Sequence, residues 1–149
     1  MDMTADQTQL SPAPEIWALH RSILTLDSHI DIPWPDRDDA FEDTPDRHVD
    51  LPKMQRGGMS AGCFVAYIGQ GPVTAEGHAQ AGQQCLEMLD AINRMQGSRN
   101  GVTARRCDTA AQIRAAHAEG VLAVVAAVEN GYGMGEDTAL LTQFRQRGA

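Results

Sequence analysis

Residues Val121-Leu122-Ala123-Val124-Val125-Ala126-Ala127-Val128 form an unbroken apolar run that stops at Glu129. A strand with no polar position on either side must be covered on both faces, which is the pattern of strands in parallel sheets flanked by helices. The run is far too short to span a bilayer. Two further segments read as strands: Ile23 to Ser28, whose apolar part is Ile23-Leu24-Thr25-Leu26, and Ser60 to Ile68, which is mostly apolar.

Helical patterns fill the intervals. Pro14 suits the first turn of a helix through Arg21, with Ile16, Leu19, Ile23 and Trp17 on its apolar side. Asp50-Leu51-Pro52 reads as the cap and first turn of a short helix ending at Gly57-Gly58. After Thr74, residues Ala81, Cys85, Met88, Leu89, Ile92 and Met95 recur at helical spacing as a core stripe, and Gly97 to Gly101 breaks that helix. Asp108 is expected to cap a helix that turns Ile113 and Ala116 inward and ends at Gly120. Asp137 is expected to cap a last helix with Leu140, Leu141 and Phe144 inward. Helices alternating with apolar strands predict an α/β fold with about three parallel strands. Residues 1–11 are polar and are expected to be a flexible tail, leaving 12–149 as one domain portion.

In such folds the chemistry gathers at the carboxyl ends of the strands. The first strand ends in Asp27-Ser28-His29-Ile30-Asp31, where His29 and Asp31, two apart, project to one side. Glu129 ends the third. One imidazole and two carboxylates suit a divalent metal, zinc first, with manganese or cobalt as alternatives. Spacing alone leaves plainer roles open, with Glu129 as a polar strand terminus and Asp31 as a loop cap. A second triplet, His48-Val49-Asp50, lies in a polar loop leading into a helix, where Asp50 has a capping role. Between the triplets the chain is acidic (Asp36, Asp38, Asp39, Glu42, Asp43, Asp46, Asp50), as in a solvated loop that could also rim a site. His20 and His117 fall near helix ends, where a partial positive charge suits the dipole.

The formal net charge of -8 argues against nucleic acid and anionic membrane surfaces as partners. Residues 1–6 are acidic and polar and lack the features of a signal peptide, so a cytoplasmic location is expected. Cys63, Cys85 and Cys107 are odd in number and widely spaced, and read as small buried hydrophobes. The glycines of Gly131-Tyr132-Gly133-Met134-Gly135 follow a strand, the setting of a nucleotide-binding loop, but the third glycine of that fingerprint would fall on Glu136.

Three motifs carry a family resemblance. Leu26 to Trp34 resembles the first-strand signature of the renal (membrane) dipeptidases, zinc peptidases of the metal-dependent amidohydrolase type. Val49 to Met59 resembles the approach to that family's second strand. Val128-Glu129-Asn130-Gly131-Tyr132, with Gly135-Glu136-Asp137 after it, resembles the third-strand motif. The resemblance implies the N-terminal part of a (β/α)8 TIM-type barrel that hydrolyses dipeptides with a metal-activated water at a two-zinc centre. It makes His29 and Asp31 ligands of the first metal and Glu129 the catalytic carboxylate bridging both. The family's other metal and substrate ligands would lie beyond Ala149. The expectation is therefore an incomplete barrel, inactive alone, that associates through exposed barrel edges as a homo-oligomer or with another chain.

Overall fold

The computed structural model describes residues 12–32 and 39–149. The polar tail at 1–11, the proline stop at Pro33-Trp34-Pro35 and the acidic residues Asp36 and Asp38 lie outside them. The elements run α1 (Pro14–Ser22), β1 (Leu26–Asp31), α2 (Leu51–Gly57), β2 (Ala61–Tyr67), α3 (Ala75–Asn93), β3 (Gly97–Arg99), β4 (Val102–Arg106), α4 (Ala110–Ala118), β5 (Leu122–Glu129), a 3-10 turn (Gly131–Gly133) and α5 (Ala139–Gln146). They form one open five-stranded sheet in the order β1-β2-β5-β4-β3. β1, β2, β5 and β4 are parallel, and β3 is antiparallel to β4. The expected α/β architecture with parallel strands and flanking helices is present. No helix among the described residues is long and apolar enough to cross a membrane.

The sheet holds two strands beyond the expected three. β3 and β4 form a hairpin in which Arg99 pairs with Val102, leaving Asn100-Gly101 as a two-residue loop. Both have positive φ, 52° and 77°, as the turns that match strand twist require. The break expected at Gly97 to Gly101 is therefore a reversal inside the sheet.

Side-chain alternation sorts the sheet into two differently covered faces. Ile30, Phe64, Ala66, Val124 and Ala126 face Leu51 and Met54 of α2, Cys85, Leu89 and Ile92 of α3, and Phe144 of α5 in the main core. On the other face a small cluster of Ala61, Ala123, Cys107 and Ala116 seats α4 over the amino-terminal ends of β2 and β5. The candidate site lies farther along that face, toward the carboxyl ends of β1 and β5.

Local chemistry explains the ends. Asp50 accepts the Lys53 amide at 2.7 Å and caps α2. Gly58 closes the helix at φ 69°. The cap of α4 is Thr109 rather than Asp108: Thr109 and Gln112 form a reciprocal capping box, while Asp108 pairs with Arg106. Asp137 accepts the Ala139 amide at the start of α5.

Three packing expectations change. No residue of α1 is buried, and Ile16, Leu19 and Ile23 are exposed. α1 is instead pinned by His20, which stacks on Trp17 and donates through Nε2 to the Gly57 carbonyl at 3.0 Å. In α5, Phe144 is buried and Leu140 partly so, but Leu141 is exposed. Among the cysteines, Cys85 and Cys107 are buried and Cys63 is half-buried.

Candidate metal centre

β1 begins three residues later than the sequence pattern predicts, so His29 and Asp31 lie within its last turn of pleat rather than after it. Ile30 between them is buried, while both flanking side chains are exposed. Glu129 is the final residue of β5. β2 intervenes between β1 and β5, so the strands that carry the three candidate residues stand two strand spacings apart, roughly 9–10 Å. The side chains close that gap. His29 Nε2 lies 3.0 Å from Glu129 Oε2 and 3.3 Å from Asp31 Oδ1. One donor atom from each of the three falls within 4.8 Å of the other two.

Beneath them the sheet is lined by small or flat side chains. Asp31 is level with Val65, Val65 with Ala127, and Tyr67 with Glu129. Val65 is buried and Tyr67 is half exposed. Tyr67 therefore stands beside Glu129 on the site face, a position the sequence pattern of a buried strand does not distinguish.

The donor set fits a zinc ion. Tetrahedral bonds of about 2.0–2.2 Å place ligand atoms about 3.4 Å apart, close to the two distances from His29, while the three donor atoms together span up to 4.8 Å. The set is one borderline nitrogen and two carboxylates, which zinc, manganese and cobalt all accept. Side-chain exposures of 53% for His29, 67% for Asp31 and 45% for Glu129 leave the site open on one side. Three ligands with an open side is the pattern of a catalytic rather than a structural metal site.

His20, His78 and His117 are engaged elsewhere. His78 Nδ1 bonds the Tyr132 carbonyl at 2.8 Å, and His117 Nδ1 bonds Ser60 Oγ at 2.9 Å. In the second triplet, Asp50 is 1% exposed and occupied by Lys53, as its capping role predicts. Two of the glycines after β5 lie close against α3: a Cβ on Gly133 would lie 3.2 Å from the Ala81 carbonyl oxygen and one on Gly135 2.8 Å from His78 Cβ, whereas Gly131 has open space around it. Asn130, at φ 73°, turns the chain out of β5, donates to the Ile68 carbonyl and accepts the Tyr132 amide. That residue fixes the exit of the chain just after Glu129, and positive φ is a role Asn fills more readily than most.

Comparison with known proteins bears on this arrangement. The sequence model of the family described as Membrane dipeptidase (Peptidase family M19) matches residues 14–149. Among solved structures, dipeptidase AC, a metallo peptidase, is 26% identical with a TM-score of 0.69, over 85% of this chain and 40% of that one. A metallo peptidase from Rhodobacter sphaeroides, liganded with a phosphinate mimic of the dipeptide L-Ala-D-Ala, is 23% identical with a TM-score of 0.68, over 85% and 43%. The probable dipeptidase PvdM from Pseudomonas aeruginosa is 21% identical with a TM-score of 0.74, over 91% and 35%. The chain thus spans about two fifths of the length of the solved structures it matches. No curated protein matches the sequence.

Proposed function

This chain belongs to the membrane dipeptidase family, peptidase family M19, and from that premise we propose that it supplies the first part of a zinc centre that hydrolyses dipeptides. The observation that carries the reading is the meeting of His29, Asp31 and Glu129 from two non-adjacent strands. His29 and Asp31 would hold one metal. Glu129, with two carboxylate oxygens and a position across β2, would bridge to a second. A zinc ion there supplies Lewis acidity, polarising a carbonyl and lowering the pKa of water to about 7.

The chain's own residues do the arranging. β1 presents His29 and Asp31 on one side while Ile30 anchors them to the core. Asn130 fixes the chain after Glu129, so this carboxylate projects from a held strand end. Val65 and Ala127 form an apolar floor beneath the site. The remaining ligands and the groups that recognise substrate come, in this reading, from chain that closes the barrel.

The test is metal content and dipeptide hydrolysis by the protein with a closed barrel, L-Ala-D-Ala being one substrate to try. Zinc should co-purify or restore activity. His29→Ala and Glu129→Gln should each weaken metal binding by more than the roughly 10–100-fold typical of a change around the ligands. A protein that is metal-free and stays inactive with zinc contradicts the reading. Robust turnover by the 149-residue chain alone would contradict its need for further ligands.

A further inference from the structure

The pairing of β1 with β2 is irregular at one place. Asp27 lies level with Gly62 and Ile30 with Phe64, so three steps along β1 match two along β2. Ser28 and His29 thus both stand opposite Cys63, the arrangement of a β-bulge. Gly62 and Phe64, two apart, belong to one face of β2. It is the helix-covered face, because Phe64 is in the main core and a Cβ on Gly62 would lie 2.6 Å from Ile30 Cδ1. A regular β1 continuing from Asp27 would carry His29 to that covered face and Ile30 to the open one, since a slip of one residue exchanges the faces. The extra residue reverses this. Ile30 enters the core, and His29 and Asp31 reach the side where Glu129 lies.

A bulge leaves its extra residue outside the regular ladder. Here the His29 amide donates to Asp27 Oδ1 at 2.9 Å. Bonds from an Asp side chain to the amide two residues on stabilise local departures from regular structure. We infer that Asp27 is a positioning residue of the metal centre: its carboxylate holds the bulge that turns His29 onto the site face. The inference rests on His29 being a metal ligand, while Asp27 itself stands outside the converging set.

Asp27→Ala removes the acceptor, and Asp27→Asn keeps a carbonyl oxygen in its place. Two readouts on the whole protein separate the possibilities: zinc affinity by chelator competition, and hydrogen exchange at the His29 amide in zinc-free protein. Asp27→Ala should loosen zinc about 10–100-fold and speed exchange at His29, with the midpoint of thermal unfolding little changed. Asp27→Asn should stay close to the unsubstituted protein on both. Unchanged affinity and protection in Asp27→Ala would overturn the inference. So would an Asp27→Asn variant that loses as much as Asp27→Ala, because the charge rather than the hydrogen bond would then matter. Should Asp27→Ala not fold, Asp27→Asn decides alone: retention supports the bulge role and loss overturns it. An unsubstituted protein that binds no zinc would sink the proposed function instead, and exchange at His29 would still judge Asp27.

Discussion

Asp50 is a carboxylate taken almost entirely out of water, and its oxygens are fully used. Oδ1 accepts the Lys53 amide at 2.7 Å and Oδ2 meets the Lys53 ammonium, which also donates to the Thr44 carbonyl. Asp50→Ala removes the α2 cap and strips Lys53 of a partner. It should cost about 1–3 kcal/mol in urea unfolding, and Asp50→Asn, which keeps the cap acceptor, should cost less. Burial acts differently on Cys85, whose thiol is pushed up to about 11. The thiolate is the reactive form, so at pH 8 Cys85 should resist alkylation in the folded protein and react once urea exposes it. Labelling of Cys85 at the rate of a free thiol under native conditions would contradict the packing of α3. Both roles are readable from sequence, Asp50 from its place before Leu51-Pro52 and Cys85 from the helical stripe. His29 and Asp31 are readable as a pair because strand periodicity relates neighbours. Nothing in spacing relates them to Glu129, since that contact depends on the order of strands in the sheet. The rule that chemistry gathers at the carboxyl ends of parallel strands links Glu129 to them, and the family resemblance adds its bridging role.

The elements are defined by how they end, and here the sequence is unevenly informative. Gly58 ends α2 in the left-handed region, and a Cβ there would lie 2.9 Å from His20 Cδ2 and 3.3 Å from Trp17. Gly58→Ala should therefore strain the helix end and push away the ring that pins α1. A loss of about 1–2 kcal/mol is expected, read as a lower urea midpoint with an unchanged slope. The Gly57-Gly58 stop is visible in the sequence, whereas the reason for it, a neighbouring helix lying against it, is not. The Asn100-Gly101 reversal is the opposite case. The dipeptide is a strong local hairpin signal, but β3 has only three residues, all exposed, so no apolar alternation marks the flank before it as a strand. β1 starts three residues later than its apolar pattern predicts for a related reason. Its apolar run, Ile23-Leu24-Thr25-Leu26, mostly precedes the strand, and the paired segment is Leu26–Asp31, where polar residues predominate. The bulge between Asp27 and Ile30 breaks the alternation on which strand recognition relies.

The molecule as a whole presents apolar surface and strand edges with nothing against them among the described residues. β1 is an outer strand. β5 pairs with β4 only from Leu122 to Val124, so its last five residues, up to Glu129, lack a partner strand on that side. Near β1, Ile16, Leu19, Ile23 and Leu26 are each about half exposed. Unpaired edges invite pairing with other chains, and contiguous exposed apolar side chains mark contact surfaces. Charge does little to prevent it, because a net -8 is screened beyond about 8–10 Å at physiological salt. The 149-residue chain should therefore associate with rising concentration in light scattering and bind a dye that reports exposed apolar surface. Ile23→Lys combined with Leu26→Lys should reduce both effects while leaving the circular dichroism of the sheet and helices intact. A chain that stays monomeric to high concentration and binds no dye would show that these edges are protected, and the expectation of association through them would fail. If association persists in the double variant, the β5 edge beside Glu129 becomes the contact to test, and a partner seated there would border the proposed metal centre.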